Sequence, residues 1–212
     1  SVIDFKREWT LDHMIGGDLA QTPIVHRVSA LAFAPDGKLL ASGGGDPSRT
    51  GEIIVWDLAK KSMLKHFPDI HSDMVNSVEF SRDGKLLVSG GADKFARVTD
   101  RETGKQLHAF EGHTSLVLGA SLQANGRTLA SVGADGEVKV WNLVSGDRAG
   151  KQSGYKKEIT SIRFIGLTDQ AFVTTGEKKA RILRVPMGNP ANVRDLAGAV
   201  DVLHTGGVSA GG

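Results

Sequence analysis

Histidine is the first place to look for chemistry, because imidazole serves both as a metal ligand and as a general base near neutral pH. The 212-residue chain carries seven histidines. None falls in the His-x3-His or His-Glu-x-x-His spacing that would set two imidazoles around zinc. There is no cysteine, which removes thiolate metal sites, cysteine nucleophiles, disulfides and haem attachment through Cys-x-x-Cys-His. The glycine-rich stretch "GGGDPSRTGE" at residues 43–52 invites a phosphate reading. A P-loop, however, needs Gly-x4-Gly-Lys-Ser/Thr between a strand and a helix, and both the lysine and the helix are missing. For acyl transfer the expectation is that no Gly-x-Ser-x-Gly elbow is present. Asp36, Asp83, Asp93 and Asp135 occupy turns, where a carboxylate serves the local backbone rather than a substrate. The expectation is a chain with no catalytic, metal or cofactor-binding residue.

Composition narrows the partners. Lys and Arg number 26 against 24 Asp and Glu, a net charge of +2 with no dense basic stripe. Nucleic acid is therefore not expected. No apolar run approaches the roughly 20 residues that span a bilayer, so no membrane insertion is expected. The chain opens at Ser1 with "SVIDFKREW", which has neither an initiator Met nor an export signal, and reads as a processed or excised chain.

The elements that would position any site come from self-similarity. "VSALAFAPDGKLLASGGGD" from Val28 aligns with segments starting at Val75, Val117 and Ile159, the last three spaced 42 residues apart. A period near 42 with two-fold alternation fits propeller blades of four strands; helical repeats would show a 3.6-residue periodicity. Asp36-Gly37, Asp83-Gly84 and Asn125-Gly126 stand in register between the first two strands of each unit. Such pairs accept the positive φ of a tight hairpin turn. Phe33, Phe80 and Phe164 share one position of the repeat and are expected in the core, whereas Trp9 fits no repeat position.

These features resemble the WD-repeat β-propeller family, whose unit carries Gly-His, a Ser or Thr on the second strand, Asp in the next turn, and Trp-Asp. The third unit matches with Gly112-His113, Ser131, Asp135 and Trp141-Asn142. The resemblance implies a structural hydrogen-bond network of His113, Ser131, Asp135 and Trp141. The second unit repeats His71, Ser89 and Asp93 at the same spacings, with Thr99 in place of the tryptophan. The first unit keeps Ser42, Asp46 and Trp56-Asp57, but Ile24 fills its histidine slot and His26 lies two residues away. The fourth offers Tyr155, Thr174, Glu177 and Leu183, a blade by periodicity alone.

The expected fold is all-β: a WD-repeat β-propeller with four recognisable four-stranded blades and part-blades at both ends. The units are a part-blade at 1–25, blades at about 26–67, 68–110, 111–152 and 153–197, and a part-blade at 198–212. A ring so built needs either further blades or a second copy of the chain to close. The family implies a non-catalytic scaffold that grips a protein partner through its loop face. Asp46, Ser48, Arg49 and Thr50, on the one lengthened turn, are the expected contacts. An axial enzyme site is disfavoured because the strands expected to line the axis begin with small or apolar residues.

An alternative resemblance is to bacterial WD-repeat regions next to c-type cytochrome modules, carried by "GKLLASGGGDPSRTGEIIVWDL", "HSD" at 71–73 and "GADGEVKVWNL". It would make the chain an accessory module of a redox or envelope protein, periplasmic rather than cytoplasmic.

Overall fold

The computed structural model describes residues 27–185 and 193–195. The part-blades expected at the two chain ends fall outside these residues, as do Trp9, Ile24 and His26. Every described element is a strand. The first sheet holds β1 (Arg27–Phe33), β2 (Leu39–Asp46), β3 (Thr50–Asp57) and β4 (Ser62–His71). The second holds β5 (Val75–Phe80), β6 (Leu86–Gly91), β7 (Ala96–Asp100) and β8 (Gln106–Phe110). The third holds β9 (Val117–Leu122), β10 (Thr128–Gly133), β11 (Val138–Asn142) and β12 (Arg148–Gln152), and the fourth β13 (Ile159–Phe164), β14 (Gln170–Thr175), β15 (Lys179–Arg184) and β16 (Val193–Asp195). Each sheet is antiparallel, with its strands in chain order.

Neighbouring sheets stack face to face, so three apolar layers form, one at each seam. At the first seam Ala41, Ile53 and Val55 of one sheet meet Val75, Val78 and Phe80 of the next. β6 is buried on both faces, with Leu87 in the first layer and Val88 in the second. This is why "LLV" runs apolar without alternation. The first strands β1, β5, β9 and β13 stand beside one another in turn. Polar side chains stitch them together: Asn76 Nδ2 donates to the Val117 carbonyl at 3.1 Å, and the Ser29 hydroxyl donates to the Val75 carbonyl.

The shared position of the three phenylalanines does not give them a shared environment. Phe80 is buried and Phe164 is partly buried, but Phe33 is 67% exposed. The cause is what lies on the other side. The face of β5 carrying Val75, Val78 and Phe80 is covered by the first sheet, whereas the matching face of β1, with Val28, Leu31 and Phe33, is open.

In the fourth unit the candidate hydroxyl Thr174 lies one residue off the 42-residue period. Ala171 pairs with Leu183 and Leu129 with Trp141, so Val173, not Thr174, stands where Ser131 stands in the third sheet. A shift of one residue in a strand sends the side chain to the opposite face. Thr174 accordingly meets Thr160, hydroxyl to hydroxyl at 2.7 Å, while Val173 lies in the apolar layer.

Candidate functional site

The loop before each first strand and the turn between the second and third strands lie on one edge of the stack. In the third sheet they bring His113, Ser131, Asp135 and Trp141 together. Trp141 Nε1–H donates to Ser131 Oγ at 2.9 Å, and the serine hydroxyl lies 2.8 Å from His113 Nε2. Asp135 accepts from His113 Nδ1 at 2.9 and 3.0 Å. The serine oxygen already receives the indole proton, so its own proton goes to Nε2, and the imidazole is neutral with its hydrogen on Nδ1. Burial, which disfavours the charged ring, lowers the His113 pKa. Asp135 also receives the Thr114 amide at 3.0 Å and Lys139 Nζ at 3.2 Å. Burial pushes its carboxyl up, but His113 and these donors prevail and hold it below the usual range.

The second sheet repeats this arrangement. His71 Nδ1 donates to Asp93 at 2.8 Å and Nε2 faces Ser89 Oγ at 2.8 Å. Thr99 stands where the tryptophan would be, and its buried hydroxyl has no hydrogen-bond partner. Arg97 Nη1 bonds Asp93 at 2.6 Å, and its guanidinium lies 4.7 Å from the Phe95 ring centroid. Glycine at the end of the second strand makes room for the imidazole: a Cβ on Gly91 would sit 2.2 Å from His71 Nδ1. In the first sheet Trp56 Nε1 donates to Ser42 Oγ at 2.8 Å. Asp46 pairs with Arg49 at 3.6 Å instead.

Cations inside this network are a feature that sequence reasoning missed. Arg97, Lys139 and Arg181 stand opposite Ser89, Ser131 and Val173 on the neighbouring strand. Each pairs with the acid four residues earlier, and Lys139 also bonds Glu137. Lys139 is only 1% exposed. Arg181 lies 4.8 Å from the Tyr155 ring centroid, so a cation over an aromatic ring joins this corner of the fourth sheet where no histidine is present. The signal available in the sequence is an acid-x3-base spacing repeated every 42 residues.

The axis-lining strands are less bland than their first residues imply. Glu79, Ser121 and Arg163 hold one repeat position on β5, β9 and β13. Arg163 Nη1 reaches across the third sheet to Glu79 at 2.8 Å and also donates to the Ala120 carbonyl at 3.1 Å. Glu79 further accepts from the Ser121 hydroxyl and the Leu122 amide, each at 3.2 Å. These bonds tie three sheets together through side chains of unlike chemistry.

The lengthened turn is an orderly hairpin arm. β2 and β3 continue pairing through Gly45–Gly51 and Asp46–Thr50, beyond the point where β6 and β7 stop. The Ser48 amide donates to Asp73 of the neighbouring loop at 2.6 Å, which anchors the arm on the seam between the first two sheets. The Arg49 side chain is 79% exposed. Asp46, Ser48, Arg49 and Thr50 thus share one hairpin tip beside the loop that carries Asp73.

Among the described residues, no group of three or more His, Cys, Asp or Glu could hold a metal ion. No described helix is long and apolar enough to cross a membrane. The string Gly-x-Ser-x-Gly occurs once outside the repeats, at Gly207 to Gly211, beyond the described residues.

Four-stranded antiparallel sheets stacked in series, with a His-Ser-Asp network at their loop edge, define a β-propeller of the WD-repeat type. The family model "WD domain, G-beta repeat" matches residues 17–57, 62–100 and 104–142, more than half of the chain, and the protein belongs to that family. Members of the family typically act as protein-interaction scaffolds.

The crystal structure of the RRP9 WD40 repeats superposes with a TM-score of 0.70 at 22% identity, over 80% of this chain and 51% of that one. The structure of U3-55K gives 0.68 at 24% identity, over 76% and 50%. Among curated proteins, the chain is 26% identical over 201 residues to the WD repeat-containing protein 91 homolog of Dictyostelium discoideum, spanning 91% of this chain but 25% of that protein. It is 32% identical over 118 residues to telomerase protein component 1 of Rattus norvegicus, covering 54% of this chain and 4% of that protein. It is also 26% identical over 112 residues to DDB1- and CUL4-associated factor 10 of Xenopus tropicalis, covering 53% of this chain and 24% of that protein. These relatives are eukaryotic, so the bacterial attribution and the cytochrome association have no support.

Proposed function

We propose that this chain is a non-catalytic scaffold that grips another protein through its loop face, with the arm at Asp46, Ser48, Arg49 and Thr50 as a contact. The observation that carries the reading is the Ser48 amide held on Asp73 at 2.6 Å with Arg49 left exposed beside it. A tip fixed in advance loses little conformational freedom on binding. The relatives support the class of role, since one is named as an associated factor. Loops held by rigid strands are where binding residues gather.

A photo-crosslinking amino acid placed at Arg49 tests this, with a second one at Lys38 on the opposite edge as control. Mass spectrometry of the adducts should find one protein attached at 49 and none at 38. Equal labelling from both positions would overturn the proposal.

The open apolar face of β1 supports a second statement about partners. Val28, Leu31 and Phe33 match positions that the preceding sheet covers in every other described blade. Their cover would be another propeller blade, from residues outside those described, from a longer chain or from a second copy of this one.

A further inference from the structure

We infer that the loop edge of the fourth sheet docks an acidic peptide segment of a protein partner. This rests on the scaffold reading but uses a region two sheets away from the arm.

The observations are a hollow and a local charge excess. Between the Ala134–Gly136 turn and the Tyr155–Glu158 loop lies a depression of about 350 Å³. Lys156 and Lys157 line it, and both are exposed. Neither forms an ion pair with a described residue. Lys178 and Lys179 stand on the adjoining turn of the same sheet, where they keep contacts of their own and add to the field. The two loops are tied to each other: the Gly176 amide donates to the Glu158 carbonyl at 2.9 Å, and the Lys156 amide donates to Glu177 at 2.5 Å. The loop that carries Lys156 and Lys157 is therefore fixed to the adjoining turn rather than independent of it.

Three carboxylates stand against them, and two are already committed. Asp135 is held by His113 and Lys139, and Glu177 by Arg181. Of the groups at the hollow, Lys156 and Lys157 then face Glu158 alone, which leaves an excess of one positive charge around a concave surface. Such an arrangement attracts carboxylates and orients them as they arrive. Asp135 and Glu158 also line the hollow, and they repel a continuous run of phosphates. That favours a peptide carrying separate acidic side chains over a nucleic-acid backbone.

Fluorescence anisotropy of the whole chain with a labelled Asp/Glu-rich peptide tests the inference. Its Asn/Gln counterpart and an oligonucleotide of equal charge serve as comparisons. The acidic peptide should bind most tightly and weaken with added salt. Lys156→Glu/Lys157→Glu should weaken it by about tenfold or more, equivalent to about 1.4 kcal/mol. Should that variant fail to fold, Lys156→Gln/Lys157→Gln keeps similar side-chain length and should still weaken binding. Lys38→Glu, on the opposite edge, should leave it unchanged. The inference is overturned if the acidic and neutral peptides bind alike, if the oligonucleotide binds more tightly, or if the folded lysine variants bind the acidic peptide as the parent does. If crosslinking at 49 succeeds while the peptide fails, the scaffold reading stands and this inference alone falls.

Discussion

Two buried imidazoles give the molecule a pH dependence with a definite sign. Burial lowers the His71 and His113 pKa values beneath the usual 6.5, so below that pH the unfolded chain binds protons that the folded chain refuses. Unfolding then takes up protons, and stability falls as pH falls. Asp93 and Asp135 extend the trend. Burial opposes their ionisation, yet His71 and Arg97 around Asp93, and His113 and Lys139 around Asp135, hold both below the ordinary carboxylate range. The stability they contribute is present above the unfolded carboxylate pKa and is lost as pH falls towards the folded values. The melting temperature should therefore drop from pH 7.5 to 5.5, and His71→Gln/His113→Gln should flatten that drop while lowering stability at both pH values. A parent curve that is flat over this interval contradicts the argument. The histidine, serine and aspartate positions were legible through the resemblance to the WD-repeat unit, whose Gly-His, Ser/Thr and Asp pattern they match. Lys139 was not, since a lysine between two valines on a strand reads as a solvated position until the acid four residues away is placed beneath it.

At the scale of the strand, register decides. Thr174 is the nearest hydroxyl to the serine position of the fourth unit, but both the 42-residue period counted from Ser131 and the pairing of Ala171 with Leu183 put Val173 in that place. A hydroxyl one residue beyond the period cannot serve, because in a strand one residue is the other face. The axial cluster was hidden for a different reason. Glu79, Ser121 and Arg163 are chemically unlike, so their shared position shows no repeated residue type to the eye. Arg163 spans from the fourth sheet to the second, which makes it a clamp between elements rather than within one. Arg163→Ala should lower stability by about 1 to 3 kcal/mol, because it strands a largely covered Glu79. Glu79→Gln in the same background should recover part of that loss. Chemical denaturation of the four members of this cycle measures the coupling, and additive effects would show that the pair contributes nothing jointly.

At the scale of the whole molecule, the fold class was readable from the 42-residue period and the hairpin turns, and the membership of the WD domain family agrees. Exposure at the ends of the stack was not readable, because a repeat position states what a residue should pack against and not whether that neighbour is there. Phe33 at 67% exposed and Phe80 at 5% are the same position with and without a covering sheet. Covering Phe33 and Leu31 is worth on the order of 1 kcal/mol each. If a second copy supplies the cover, the chain should self-associate as its concentration rises, and Phe33→Glu should suppress this without lowering the melting temperature. Sedimentation velocity reads the result directly, and a parent that stays monomeric at every concentration removes the second-copy alternative. The anchor of the hairpin arm has a mechanical consequence. Since Ser48 hangs from Asp73, a tug on the tip is transmitted to the joint between two sheets, and any ligand that seizes Arg49 takes hold of both at once.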